Sequence, residues 1–452
     1  MNAVRTATML AVALAMLPGG AARAEGRVLT LDDALAKALA ANPAIASSRE
    51  ALAAAGHKEE GSIAGYLPQA IAALSYRRAT ANSPISPWID LSALPASASG
   101  GFKSMLSREE ATSYNNYSAS LSVTQTIWDF GRTMGANEAA KALRQAAVSD
   151  VATTVEGVRL ALIQAYYGVL ATGEVVSAAE ETLRQMQKHL DQARIQADAG
   201  VRQRIDVTRA ESDLASAELV LLRARNANQL ARVNLDAVMG GQGATGFEVV
   251  RPPQPPLLEV DPAQAVRDAI ARRPEARALR DRVQAAQAGV TAARSAWFPA
   301  LQASAGVAWT GYELADMPYN WFAGASLTWN ALSGVPAFAA TQEAKANVRA
   351  MQASLAALEN GIRSEVESTV LSYGEAVSRL VPAKALLESS RQTLALAEGR
   401  YEAGSGSIIE VTDAQAVWVQ ARAGVIGAEF DVQTARARLL KAMGEDGSAA
   451  AR

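Results

Sequence analysis

The chain contains no cysteine, so no disulfide can staple it and no lipid can be attached to an N-terminal cysteine. Histidine is almost missing too. His57 and His189 are the only two, and both fall in helical patterning, which leaves no evident triad or metal cluster. No phosphate-binding glycine loop occurs, so the sequence offers no means of using nucleotide energy. Forty-three basic residues face 45 acidic ones, for a formal charge of −2, and the basic excess expected of a nucleic-acid binder is absent. Beyond the N-terminus no stretch of about eighteen uninterrupted apolar residues exists, which argues against membrane-spanning helices. Aromatic residues make up only 5% of the chain although half of it is hydrophobic, much of that alanine. Such a composition suits closely packed helices better than a thick globular core.

The first residues read as a secretory signal: Arg5, an apolar run from Met9 to Leu17, and the small-residue site Ala22-Arg23-Ala24. Cleavage is expected after residue 24. Loss of Arg5 and Arg23 and of no acid would take the formal charge from −2 to about −4.

What is present is a repeat. At one constant offset Ala34, Ala38, Pro43, Arg49 and Pro68 recur as Ala265, Ala269, Pro274, Arg280 and Pro299. At a second offset Gly200, Val207, Thr208, Ala210, Met239 and Gly240 recur as Gly404, Val411, Thr412, Ala414, Met443 and Gly444. One supersecondary unit is therefore built twice. The expected divisions are a signal peptide at 1–24, a first repeat at 25–240, a linker at 241–257, a second repeat at 258–444 and a tail at 445–452.

Each repeat opens with a short helix, a stop at Asn-Pro or Arg-Pro, and a second helix ending before Pro68 or Pro299. Two strands follow. In the first repeat Ala70, Ala72, Leu74 and Tyr76 share one side, and after a Ser-, Pro- and Gly-rich loop at roughly Asn82 to Ser113 comes the second strand. There Leu121, Val123 and Ile127 alternate with Ser118, Ser120, Ser122, Thr124 and Thr126, with Gln125 the one polar residue on the apolar side. The second repeat alternates likewise through Leu301 to Trp309 and Trp321 to Trp329, each about the length that crosses a bilayer as a tilted strand.

Very long helical patterns then run from about Met134 to Ala199 and from about Phe338 to Ala403, each approaching roughly 100 Å. Pro382 should kink the second or loosen a turn. Past the glycines at 200 and 404 lies another helix, with Val207, Ala210, Leu214, Ala217, Leu221, Ala224, Asn228, Ala231, Leu235 and Val238 at strict 3,4 spacing. Val411 to Ala442 repeats it, with Trp418 in the seam as packing rather than ligand contact. The period implies coiled-coil packing, and the alanines permit close helix approach.

Four amphipathic strands cannot close a membrane barrel, for which about eight are the minimum, and open edges cannot sit in lipid. Subunits must share one barrel, and three copies would supply about twelve strands.

With this duplicated order the chain resembles the TolC family of outer membrane efflux proteins. The local markers are Leu67-Pro68, Phe298-Pro299, Trp128-Asp129-Phe130-Gly131, Gly200 with Asp206-Val207, and Tyr401, Gly404, Glu410, Val411 and Asp413. The resemblance implies a mainly α fold with a membrane β-barrel: duplicated long helical hairpins, four strands per chain, a trimeric twelve-stranded barrel and a helical periplasmic tunnel. It further implies an outer membrane homotrimer that works with a periplasmic adaptor and an inner membrane transporter in efflux or type I secretion, passively and without a cofactor.

By the same resemblance the turns at Gly200, Val201 and Arg202 and at Gly404 and Ser405 form the periplasmic tip and meet the adaptor, while Asp206, Tyr401, Glu410 and Asp413 form its gate. Rings of such acids would select ions. The acids equally suit solvated helix N-termini, where the helix dipole favours them, and Tyr401, implied to bond Asp206, equally suits helix-end packing. Gly406 stands where a basic gate partner can occur, with Arg202 or Arg204 as substitutes. Trp309, Trp321 and Trp329 fit an aromatic girdle facing lipid, or else buried strand packing. A periplasmic coiled-coil adaptor or structural protein is the alternative function, and it leaves the strand pairs unexplained.

Overall fold

The computed structural model describes residues 27–80, 113–200, 203–241, 243, 246–253, 255–330, 334–403 and 405–445. The expected signal peptide, nearly all of the 82–113 loop and the tail beyond 445 lie outside them, as do Val201, Arg202 and Gly404 of the expected tip.

The first repeat begins with strand β1 (Arg27–Leu29), helix α1 (Leu31–Ala41) and helix α2 (Pro43–Ser62). Thr30 caps α1 by accepting from the Asp33 amide. Asn42 ends α1 and caps α2 through the Ala44 amide at 2.8 Å, with Pro43 in the first turn where its missing N–H costs nothing. Strands β2 (Gln69–Thr80) and β3 (Ser113–Trp128) follow, then helix α3 (Arg132–Asp198, 67 residues) and helix α4 (Arg204–Val238, 35 residues). Strand β4 (Phe247–Val249) lies in the connecting segment and pairs in parallel with β1.

The second repeat has α5 (Pro262–Arg272), α6 (Pro274–Arg294), β5 (Ala300–Gly311), β6 (Tyr319–Thr328), α7 (Gly334–Glu402, 69 residues) and α8 (Ile408–Met443, 36 residues). Pro382 lies inside α7 and does not break it. Packing through buried Ala376 and Ser390 on either side holds the helix across the lost hydrogen bond.

Repeat-related residues occupy equivalent places. Ala34 and Ala265 are buried, as are Ala38 and Ala269, and Leu235 and Leu439 are both fully enclosed. Gly240 and Gly444 end α4 and α8 with φ of 74° and 70°, the left-handed conformation that favours glycine. Each long helix also anchors an extended segment by a tyrosine. The Tyr166 hydroxyl donates to the Leu29 and Val250 carbonyls, and the Tyr373 hydroxyl accepts from the Leu258 amide at 3.0 Å.

The 3,4 seam is the packed seam. In α8 all ten of its positions are buried except Ala435, which is half-buried, and in α4 the ten are buried or half-buried. Helix α3 packs against α2 and α4 of its own repeat and against α6 and α8 of the other, whereas α7 packs against α5, α6 and α8. Two shorter helices do lie along each long one.

The four long strands form one antiparallel sheet in the order β2-β3-β5-β6, so the two repeats meet at β3–β5 and both outer edges, β2 and β6, are open.

Candidate functional site

Two regions carry the residues singled out by sequence: the turns joining each long helix to its partner, and the sheet.

At the first turn Gly200 follows α3 with φ of 73°, where a side chain would be strained. Gln203 then stands at the N-cap of α4, and Asp206 lies half-buried in its first turn. At the second turn the amides of Ser405 and Gly406 both donate to the Arg400 carbonyl, at 3.0 and 2.9 Å. A Cβ on Gly406 would stand 3.0 Å from the Arg400 carbonyl carbon and the Tyr401 nitrogen, so a side chain there would require the wrap to give by a few tenths of an ångström. Ser407 caps α8 by accepting from the Ile409 amide at 3.1 Å.

A basic side chain does stand beside Glu410, and it belongs to the preceding helix. Arg400 Nη1 lies 3.1 Å from Glu410 Oε2. Sequence reading missed this partner because only the folded turn brings the two together. Asp413 lines the same cleft of about 630 Å³ between α7 and α8 as Arg400 and Glu410. Asp206 belongs to the separate first-repeat turn, and Arg204 is exposed beside it. Tyr401 is buried among Leu394, Ala397, Ile408, Val411 and Trp418, an apolar plug between α7 and α8. Trp418 is part of that plug, with the Arg422 guanidinium over its ring at 5.4 Å.

Beyond these two turns the repeats are stitched together. Gln415 donates to Gln185 at 2.9 Å, Arg422 pairs with Glu181, and His189 Nε2 lies 3.7 Å from Glu398. Burial beside His189 raises the Asp213 carboxyl above its ordinary value, with the charges of Arg209 and His189 opposing the rise.

Strand register sorts the sheet into two faces. Residues opposite one another in an antiparallel pair point the same way. The pairs Ala72↔Leu121, Leu121↔Val307 and Val307↔Trp321 therefore share a face, and Ala70, Val123, Ala305 and Ala323 extend it. The other face carries Ser75, Ser118, Ser120, Ser122, Thr124, Gln302, Ser304 and Ser326. Ser75 and Ser118 hydrogen-bond across it at 2.8 Å. Phe322 also lies on this polar face, over Gly306, where a Cβ would meet its ring at 2.8 Å.

By register Trp309 and Trp321 belong to the apolar side, and Trp309, Trp321 and Trp329 are 37, 74 and 62% exposed, so burial within this chain does not explain them. Trp309 and Trp321 lie near the strand ends away from the helices, whereas Trp329 follows β6 at the helical end and donates to the Trp297 carbonyl at 3.2 Å. A further tryptophan was hidden. A register shift between Thr126 and Trp128 sets Trp128 opposite Leu301, on the apolar face rather than the hydroxyl face its even numbering indicates.

Beyond Trp128 the chain enters α3 through a compact junction. Phe130, at φ of 54°, stacks on Phe298 at 4.9 Å, and Asp129 accepts from the amides of Gly131 and Thr133 at 3.2 and 2.9 Å. Burial pushes the Asp129 carboxyl up, but the Thr133 side chain and the Thr133, Gly131 and Arg132 amides outweigh it and hold it below its ordinary value. No group of acidic or histidine side chains suited to a metal occurs among the described residues.

Comparison with known proteins agrees with this arrangement. A model of the family described as outer membrane efflux protein matches residues 34–241 and 265–445. The chain is similar to the probable outer membrane lipoprotein SilC of Salmonella typhimurium, 27% identical over 299 residues that make up 62% of each protein. It is also similar to protein CyaE of Bordetella pertussis, 27% identical over 71% of this chain and 69% of CyaE. It thus spans less than two thirds of the length of SilC. Among solved structures, the outer-membrane channel OprN superposes with a TM-score of 0.77 at 20% identity, covering 92% of this chain and 90% of that one. The CmeC channel of Campylobacter jejuni gives 0.78 at 15% identity, covering 93% and 88%.

Proposed function

The chain belongs to the outer membrane efflux protein family, and from that premise we propose that it is a passive exit duct: a homotrimer whose three four-stranded sheets close one twelve-stranded barrel, with the long helices forming a tunnel into the periplasm. One observation carries this reading. The sheet has an exposed apolar face and two unpaired edges, β2 and β6. Open strand edges are not tolerated in lipid, so β2 of one chain has to meet β6 of the next. The hydroxyl-rich face then lines water. Trp321 and Trp329, eight positions apart, lie about 27 Å apart along the strand at about 3.4 Å per residue, a span that tilting reduces toward the roughly 25 Å apolar band of such barrels.

The helices support the same closure. Leu371, Val381, Leu386 and Leu396 of α7 and Leu219, Leu222, Leu230 and Val233 of α4 are exposed in the single chain. Those flanks suit contact between neighbouring subunits. The tip bearing Asp206, Glu410 and Asp413 is then the gate, and the turns around Gly200 and Ser405 are the contact for a periplasmic adaptor that couples the duct to an inner membrane transporter. Energy comes from those partners. A soluble coiled-coil adaptor would leave the amphipathic sheet without a role.

The test is assembly and conductance of the full chain. Extraction from outer membranes only with detergent, a trimeric mass and ion-conducting steps in planar bilayers are expected. A soluble monomer without conductance would overturn the proposal.

A further inference from the structure

A cavity of about 450 Å³ lies away from both the tip and the sheet, where α1, α3, α8 and the proline-rich segment after β4 meet. Its volume falls in the range of small-molecule sites. Much of the wall is apolar, with Leu35, Leu160, Ile163 and Tyr167 and prolines from 252 to 256. One wall residue does not fit a passive packing defect. Arg436 is 92% buried, being 8% exposed, and its Nε has no hydrogen-bond partner. Buried arginine is ordinarily paired, because its fork of donors is costly to strip of water.

The other charges of the wall do not answer it. Arg159 and Glu156 pair with each other at 3.1 Å, Arg251 is held by Glu174 and Glu429, and Glu445 lies 3.9 Å from Arg272. Among the described residues Arg436 forms no ion pair, and Lys441 is a further cation of the wall. Tyr167 and Arg436 border the same space, so an apolar ring and the buried guanidinium are both available to one occupant. From these features we infer that the cavity binds a small amphipathic organic monoanion, a carboxylate on a compact aromatic or branched body, with the carboxylate on Arg436 and the body against Leu160, Ile163 and Tyr167. A planar guanidinium matches a carboxylate in two parallel hydrogen bonds. A phosphate dianion fits less well, because Asp32, Glu156 and Glu445 also border the space. A diacyl lipid is too large for it.

The full chain in nanodiscs, titrated calorimetrically with naphthalene-2-carboxylate, tests the site. One carboxylate per chain is expected, bound at least tenfold more tightly than the matching naphthylmethylammonium. Arg436→Gln should weaken it at least tenfold and Arg436→Lys should restore part of the loss. Ala437→Phe fills the cavity from α8 without touching the charge, and should abolish binding even where the Arg436 variants fail to assemble. Competition by dodecanoate at Arg436 would mark a membrane-derived acid as the source, and no competition a soluble solute. Equal binding of the ammonium compound, no binding of either carboxylate, or binding unaffected by Ala437→Phe would overturn the inference.

Discussion

Arg400 and Glu410 face each other at 3.1 Å across the second-repeat turn, joining the last turn of α7 to the first turn of α8. Both side chains are largely in water, 60 and 44% exposed. Exposed pairs of this kind contribute about 0–1 kcal/mol, so Glu410→Gln should scarcely alter thermal stability. Its effect belongs to permeation. Glu410→Gln, Asp413→Asn and Asp206→Asn together should lower cation preference or change conductance in planar bilayers. A triple variant with wild-type conductance and reversal potential would remove the acidic gate.

The junction between the sheet and α3 should depend on Asp129. Its carboxylate satisfies the first amides of α3, where loss of such a cap costs about 0.5–2 kcal/mol. Asp129→Ala is therefore expected to lower resistance of the assembled protein to heat. The pH dependence has a definite sign. With its folded pKa held below its ordinary value of 3.8, Asp129 contributes stability above that value, lost as pH falls through the lower folded one. Asp129→Asn should flatten the acid limb of stability below about pH 4 and leave the neutral limb in shape.

These two regions differ in how much of them sequence could reveal. The coiled-coil seam from Val207 to Val238 was legible because ten seam positions in succession keep one 3,4 spacing, and the strand faces because hydroxyl and apolar residues alternate over a whole span. Strands β1 and β4 were not, since three residues carry no period and Tyr166 is what holds the pair in place. The bulge before Trp128 reversed the facing of one residue, which strict alternation cannot anticipate. Arg400 was overlooked for a similar reason: its partnership with Glu410 is created by the wrap at Gly406 and has no local pattern.

Asp213 offers the opposite sign from Asp129. It lines a small enclosed space with Met186, Ala210, Ile408 and Val411, and burial raises its folded pKa. Its stabilising contribution is thus complete below the unfolded pKa and lost as pH rises through the folded one. Asp213→Asn, neutral at every pH, should make the protein more resistant to heat at pH 7 and reduce the loss of stability that sets in as pH rises above the ordinary carboxylate value of 3.8. A variant less stable at pH 7 would mean that the charge interactions with Arg209 and His189 outweigh burial.

Arg273 tests whether the short helices α5 and α6 are held on α7 by charge or by packing. It joins α5 to α6, is 7% exposed, and reaches Glu365 of α7 at 2.5 Å and Glu275 at 3.4 Å. Glu365 is 45% exposed, so water screens part of the pair, and about 1.5–3 kcal/mol is a reasonable loss for a charged hydrogen bond of this type. Arg273→Met should approach that loss. Glu365→Gln alone should cost less, because Glu275 still faces the buried guanidinium. If charge is the link, the double variant will be more stable than the sum of the single losses, since the uncompensated carboxylate at 365 has gone. Additive losses would instead assign the α5–α7 contact to its apolar cluster of Ala265, Ala269, Val366 and Tyr373.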